Sequence, residues 1–205
     1  MPIVTMIAGP NGSGKSTLTR ELERLGIPLG IYLNADDIAA TMSGDPQMVA
    51  AAAQQMVRER RAAAINSRQD HSFETVMSHP SHIDHLIAAR AAGFKIRLFF
   101  VATEDPVINE GRVANRVHHG GHDVPFEKIS ERYYRCLANL PAAIAAADEG
   151  LIYDNSEIDE PLKVVARIIE GSFNNLSSKT TPLWWQRYMD ACRAKIEFES
   201  GVNLK

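Results

Sequence analysis

Short apolar runs rich in isoleucine, valine and phenylalanine alternate along the chain with longer segments of helical periodicity. The apolar runs predict strands over residues 3–8, 31–33, 72–76, 96–101 and 151–153. The segments between and after them predict helices over residues 15–25, 46–67, 81–92, 106–117, 126–147 and 161–169. Strands that are separated by helices form parallel sheets covered on both faces, so the pattern predicts an α/β fold.

The composition changes after Gly171. Residues 172–182 are rich in serine, asparagine and threonine, which is typical of a linker. Residues 183–199 have the pattern of an amphipathic helix that contains Trp184 and Trp185. Adjacent tryptophans cannot share one helix face, which favours packing over a base-stacking platform. We therefore divide the chain into a domain over 1–171 and a linker and helix over 172–205, which pack on that domain or on a partner.

Composition and charge exclude several classes of protein. The chain has 205 residues, of which 45% are hydrophobic and 23% are charged, and its formal net charge is −3. An intrinsically disordered chain would have fewer apolar residues or a larger net charge. The weak negative net charge shows no excess of basic residues of the kind that binds nucleic acid.

The cellular location of the protein can be predicted from its first residues, its apolar runs and its cysteines. The first residues lack the basic flank of a signal peptide, and no apolar run approaches the roughly 20 residues that cross a bilayer. The two cysteines, Cys136 and Cys192, have no metal-binding or redox spacing. We expect a cytoplasmic protein without a membrane partner.

The segment after the first predicted strand satisfies the nucleotide-binding pattern G-x-x-x-x-G-K-[ST]. Its glycines let backbone N–H groups converge on phosphate oxygens, at the positive end of the next helix. Lys15 is expected to contact the β- and γ-phosphates, and Ser16 to be a ligand of Mg²⁺. The chain lacks the Asn-Lys-x-Asp motif of GTPases, which favours ATP. The predicted nucleotide-binding residues are Gly9, Pro10, Asn11, Gly12, Ser13, Gly14, Lys15, Ser16 and Thr17.

Acidic residues follow or end two further predicted strands. Asp36 and Asp37 come just after the second strand, where residues of open α/β sheets face the ligand crevice. Either acid could cap the next helix, and with the phosphate-binding loop present we favour Asp36 as a catalytic base. Glu74 and Thr75 end the third strand, where Glu74 would face the Mg²⁺ side or the acceptor hydroxyls if that strand lies beside the first. A solvated strand end is the alternative for Glu74.

Four arginines flank a glycine-containing segment and suggest a lid. Arg112 and Arg116 share a predicted helix face, and Arg132 and Arg135 lie on the next helix. Such residues could close over ATP and stabilise the charge on the phosphoryl group in transfer. The alternative is a solvated basic face that is paired with Glu110, Glu127 and Glu131.

Together these segments resemble the zeta toxin family of P-loop kinases, and more closely its small chromosomal branch. The resemblance covers roughly residues 3 to 157. The matching segments are Val4–Thr17, Leu33–Asp36, Phe73–Thr75, Gly120–Pro125 and Tyr153–Ser156.

The resemblance implies a P-loop fold, with a five-stranded parallel sheet in the order 2-3-1-4-5 and an arginine-bearing lid. It implies ATP- and Mg²⁺-dependent phosphorylation of a small-molecule hydroxyl. In the characterised toxins the acceptor is a UDP-N-acetyl amino sugar, and a protein antitoxin restrains the activity. Asp36 matches the catalytic base, Glu74 a substrate-side acid, and Arg116 and Arg132 the phosphate-binding arginines. Arg112 and Arg135 are alternative matches one helical turn away.

Two other functions use the same motifs. One is a kinase of another small molecule or of a nucleic acid on the same scaffold. The other is a nucleotide-dependent switch whose ATP state controls a protein partner. Transfer of the γ-phosphate to an acceptor would favour a kinase, and slow hydrolysis coupled to partner binding would favour the switch.

Overall fold

The computed structural model describes residues 1–118, 124–158, 160–176 and 181–190. The strands are β1 (Ile3–Ala8), β2 (Ile31–Leu33), β3 (His71–Thr75), β4 (Lys95–Ala102), β5 (Glu149–Asp154), β6 (Lys163–Ile169) and β7 (Ser172–Asn175). The helices are α1 (Lys15–Arg24), α2 (Ala35–Ala40), α3 (Pro46–Asn66), α4 (Ser81–Ala91), α5 (Pro106–His118) and α6 (Phe126–Ala145). A further helix, α7, covers residues 183–190 of the described chain. Among the helices of these ranges, none combines the length and apolar character that a membrane span requires.

All strands belong to one sheet with the order β2-β3-β1-β4-β5-β6-β7. The first five strands pair in parallel, which confirms the predicted α/β fold and the order 2-3-1-4-5. The predicted five strands form the parallel core of a larger sheet. Strands β6 and β7 extend the sheet beyond β5 in antiparallel pairing, so the sheet is mixed and has seven strands.

The helix predicted over residues 161–169 is strand β6 in the structure. This segment is rich in valine and isoleucine, which favour extended backbone. Glu170 and Gly171 both have positive φ, 47° and 76°, and connect β6 to β7. A two-residue loop with both φ values positive is the geometry of a type I′ hairpin turn. Gly171 therefore turns a hairpin and does not end a helix.

Apolar side chains cover both faces of the sheet. Met6 and Ile7 are adjacent in β1, and neither is accessible to solvent. Because successive strand residues point to opposite faces, Met6 packs in the larger cluster with α4 and α6, and Ile7 packs with α1. Phe100 and Phe99 of β4 divide between the clusters in the same way.

The described residues after Gly171, 172–176 and 181–190, extend the sheet and pack on its core. Strand β7 occupies part of the predicted linker, and both tryptophans of α7 are buried. The Trp185 ring stacks on Tyr188 at 4.8 Å, and its Nε1 donates a hydrogen bond to Asn175 Oδ1 of β7 at 2.9 Å. Nε1 of Trp184 donates to Asp154 Oδ1 at the end of β5, at 2.8 Å. The division of the chain at residue 171 remains a prediction.

The Trp185→Ala substitution tests how much α7 contributes to folding. We expect it to lower the free energy of unfolding by about 3–5 kcal/mol, because it removes a fully buried aromatic side chain. Leu183→Ala on the same helix is the matched control, since Leu183 is 54% exposed and its loss should cost less than about 0.5 kcal/mol. Urea denaturation followed by circular dichroism measures both. Equal small effects would show that α7 is dispensable for the fold.

Candidate functional site

The predicted nucleotide-binding loop connects the carboxyl end of β1 to α1. Gly12 and Gly14 have φ values of 73° and 101°, which an L side chain rarely adopts. A Cβ atom on Gly12 would lie 2.5 Å from the backbone oxygen of Asn109, and one on Gly14 would overlap the side-chain amide of Asn155. Asn155 Nδ2 donates a hydrogen bond to the backbone oxygen of Ser13 at 2.8 Å. The positive φ favours glycine at both positions, and the Asn109 backbone excludes a side chain at Gly12.

Helix α1 begins at Lys15 without a side-chain cap from the described residues, so its first N–H groups can bind an anion. The Lys15 Nζ atom donates hydrogen bonds to the backbone oxygens of Gly9 and Pro10 at 3.0 and 2.9 Å. Burial lowers the pKa of Lys15, and the nearby Glu74 carboxylate opposes this effect. The ammonium group is thus held over the loop, beside an acidic partner.

Glu74 accepts hydrogen bonds from three hydroxyl groups. The donors are Tyr32 and Thr19 to Oε1, at 2.7 and 2.6 Å, and Ser16 to Oε2 at 3.2 Å. This arrangement follows from the pairing of β3 with β1, which places Glu74 opposite Ile7. Burial and the Glu74 carboxylate raise the pKa of Tyr32, so its hydroxyl remains a donor. Glu74 thus lies beside Ser16, the predicted Mg²⁺ ligand, and its role toward the metal or the acceptor remains a prediction.

Asn34 caps α2 by accepting a hydrogen bond from the backbone N–H of Asp36 at 3.0 Å. Neither Asp36 nor Asp37 is therefore the cap of this helix. Asp36 lines the cleft above the sheet, whereas Asp37 does not. Partial burial, followed by the Glu74 and Asp36 charges, raises the pKa of Asp37. Asp36 is free of the capping role, and its function as a base remains a prediction.

Three of the four predicted arginines line the same cleft, namely Arg112, Arg116 and Arg132. Arg112 donates to the backbone oxygens of Asn155 and Glu157 at 2.7 and 3.2 Å, and burial lowers its pKa. Arg135 forms an exposed ion pair with Glu131 at 2.6 Å. This contact fits the alternative of a solvated basic face that is paired with acidic residues. Residues 119–123 of the predicted lid lie outside the described residues.

The cleft has a volume of about 710 Å³, and residues predicted from separate motifs line it together. Thr75 also lines it, but its Oγ1 accepts a hydrogen bond from the backbone N–H of Met77 at 2.9 Å. Sequence reasoning missed Arg61 and His82, which reach the cleft from α3 and α4. In the structure Arg61 lies on the buried face of α3, with Ala53, Val57 and Ala64 at helical spacing.

Residues 4–142 match the model of a family described as an AAA domain. The chain belongs to the AAA domain family. A search of the curated proteins found no match to this AAA domain.

Solved structures share the fold of this AAA domain at low identity. The AvrRxo1-ORF1:-ORF2 structure with ATP is 15% identical, with a TM-score of 0.69 over 91% of this chain and 63% of that one. The PezAT chromosomal toxin-antitoxin system of Streptococcus pneumoniae is 13% identical, with a TM-score of 0.62 over 93% and 85%. The Pnkp1/Rnl/Hen1 RNA repair complex is 17% identical, with a TM-score of 0.54 over 68% and 45%. The chain thus spans less than two thirds of the AvrRxo1 chain that it matches.

Gly12→Ala tests the packing of the loop in this AAA domain. We expect it to abolish ATP binding, because the new Cβ atom would displace the loop from Asn109. Gly111→Ala in α5 is the matched control, since a Cβ atom there meets nothing within 4 Å. The control should keep ATP affinity and raise the free energy of unfolding by about 0.5–1 kcal/mol. Calorimetric titration with ATP measures binding, and equal ATP affinity in both variants would contradict this account.

Proposed function

We propose that this protein is a kinase that transfers the γ-phosphoryl group of ATP to a hydroxyl group of a small molecule. The observation that carries the proposal is the composition of one cleft. Lys15, Ser16, Asp36 and Glu74 line it together with Arg112, Arg116 and Arg132. These groups match the needs of phosphoryl transfer, which are positioning of phosphates, charge neutralisation and a proton acceptor.

ATP is the proposed phosphoryl donor, bound by residues 9–17. The backbone of the loop and the start of α1 bind the phosphates, and Lys15 supplies a cation to the β- and γ-phosphates. Its hydrogen bonds to Gly9 and Pro10 keep Nζ at the loop before ATP binds. Electrostatic stabilisation by groups that are already in position lowers the cost of charge movement during transfer.

The residues beside the loop also fit a magnesium ion. Mg²⁺ prefers hard oxygen ligands, and the Ser16 hydroxyl lies 3.2 Å from a Glu74 carboxylate oxygen. Ser16 and Glu74 would hold the ion, which when bound neutralises charge on the phosphates. Thr19 and Tyr32 orient Glu74 by donating hydrogen bonds to its other oxygen.

Asp36 is the proposed base. In this role it accepts the proton of the acceptor hydroxyl as that oxygen bonds to the γ-phosphorus of ATP, while the bond from this phosphorus to the β,γ-bridging oxygen breaks and ADP leaves. Asn34 caps the helix in its place, which leaves the Asp36 carboxylate available for this task. Glu74, with its three hydroxyl donors, is less suited to accept a proton.

A UDP-N-acetyl amino sugar is the first acceptor to test, and a protein antitoxin is the proposed partner. Both come from the resemblance of the motifs to the zeta toxin family. The likeness of fold to the PezAT toxin-antitoxin system supports this choice. The AvrRxo1-ORF1:-ORF2 structure, with a similar fold, likewise contains two components.

The test of the proposed function uses ATP labelled at the γ-phosphate, incubated with metabolite extracts and with UDP-N-acetyl amino sugars. We expect the label to appear on a small molecule. Asp36→Asn should lower the transfer rate by roughly 10²–10⁴-fold and leave ATP affinity within a small factor, because only the base is lost. Asp37→Asn is the matched control and should have a mild effect. Equal rates for both variants would contradict the role of Asp36.

Arg132→Ala tests the arginine contribution to transfer. If Arg132 contacts the phosphoryl group mainly in the transition state, kcat should fall by at least about 10²-fold, with a smaller change in the KM for ATP. Arg116→Ala should act in the same direction. Arg135→Ala is the control on the same helix, because its exposed ion pair with Glu131 contributes less than about 1 kcal/mol. An unchanged kcat for Arg116→Ala and Arg132→Ala in steady-state kinetics would remove both from the mechanism.

A further inference from the structure

The cleft contains a cation that the proposed phosphoryl transfer does not use. Arg61 of α3 lines the cleft and is only 5% exposed. Its guanidinium carbon lies 4.5 Å from the centre of the Phe73 ring, and Nη1 lies 3.1 Å from Nδ1 of His82. Phe73 and His82 line the cleft as well. Arg61 is therefore enclosed by an aromatic ring and an imidazole at the wall of the site.

No acidic residue in the described ranges forms an ion pair with Arg61. Its Nε atom is buried without a hydrogen-bond partner, and Nη2 makes no hydrogen bond to a described residue. Burying a charge is unfavourable unless an opposite charge or hydrogen bonds compensate for it. A charged side chain left in this state beside a cavity indicates that a ligand completes its interactions.

The described groups that surround Arg61 supply no negative charge to balance its own. Burial lowers the pKa of His82 to about 4, so the imidazole is neutral at pH 7 and its Nδ1 accepts the hydrogen bond from Arg61. Burial also lowers the pKa of Arg61 to about 10, and Arg58 contributes in the same direction. Arg61 still carries its positive charge at pH 7, because that value lies well above neutrality.

The elements place Arg61 on the side of the proposed base. Helix α3 packs on β2 and on α2, the helix that carries Asp36 in its first turn. Arg112 and Arg116 reach the cleft from α5, which follows β4 on the other side of β1. Arg61 thus belongs to the part of the cleft where the hydroxyl of the acceptor must approach Asp36.

We propose that Arg61 binds an anionic group, a phosphate or a carboxylate, on the molecule that receives the phosphoryl group. The identification of that molecule as the acceptor rests on the proposed function, whereas the anion-binding role of Arg61 does not. A guanidinium group binds such oxygens by charge-assisted hydrogen bonds, which are stronger where water is excluded. Acceptors that carry an anion would therefore be preferred over neutral sugars and alcohols.

A binding measurement tests Arg61 without turnover. The protein is first saturated with Mg²⁺ and a non-hydrolysable ATP analogue, so that the phosphate-binding loop is occupied. Methyl phosphate and acetate are then titrated separately by calorimetry. We expect one or both to bind, and Arg61→Met to weaken binding at least about tenfold, as expected for loss of hydrogen bonds to a charged group. Arg60→Met is the matched control, since Arg60 is an exposed neighbour on the same helix.

The two probes distinguish the two kinds of anion. Stronger binding of methyl phosphate assigns a phosphorylated acceptor, and stronger binding of acetate assigns a carboxylate. Absence of binding by both probes, or equal binding by wild type and Arg61→Met, overturns the proposal.

Thermal stability separates a binding role from a purely structural one. Replacing a buried charge that lacks an acidic partner with an apolar side chain is often neutral or stabilising. We expect the Tm of Arg61→Met, without ligand, to be equal to or higher than that of wild type. A lower Tm together with unchanged anion binding would mean that Arg61 serves only to support Phe73 and His82.

The outcomes for the two proposals are independent. Lack of label transfer to any acceptor would contradict the kinase function and leave the anion-binding result standing. Transfer to neutral and anionic acceptors with equal kcat/KM, unaffected by Arg61→Met, would leave the kinase function standing and contradict the role of Arg61.

Discussion

The parallel pairing of β1 with β3 on one side and β4 on the other is the constraint on which the site depends. Ile7 lies opposite both Glu74 and Phe99 in this register. The strand can hold this central place because its side chains, except Thr5, are apolar toward both faces. Its carboxyl end then leads directly into the nucleotide-binding loop. A shift of β3 by one residue would turn the Glu74 side chain to the opposite face, away from Ser16.

The central part of the fold was predictable because most of its strands are short apolar runs separated by helices, although β3 contains a single large apolar side chain, Phe73. Strand β6 was not, since a short run of valine and isoleucine at 163–169 fits a buried helix as well as a strand. Its partner β7 is polar at most positions and is mostly exposed. Residues 163–169 form a strand and not a helix because they pair with the edge of β5. The hairpin turn at Glu170 and Gly171 then brings β7 beside them.

Some residues of the candidate site could likewise be predicted from the sequence, and others could not. Lys15 and Asp36 could be predicted because they follow strands, and residues at strand ends meet at one edge of a parallel sheet. Arg61 lies in the middle of a long helix beside the exposed Arg58 and Arg60, and three nearby arginines look like a solvated surface. Its role depends on which face of α3 is buried and on how α3 meets α4, which are tertiary facts. Asn155 was part of a motif, yet its contact with Ser13 spans 142 positions of the chain.

The indole groups of this protein are confined to α7. Both tryptophans of the chain are neighbours in this helix, and Trp184 contacts Asp154, next to the residue that holds the nucleotide-binding loop. Intrinsic emission excited at the red edge of the absorption band therefore originates beside β5 and β7, toward the opposite end of the sheet from β2. Tryptophan fluorescence would therefore report directly on the surroundings of α7, and on Phe73, the ring beside Arg61, only through the hydrophobic cluster that they share.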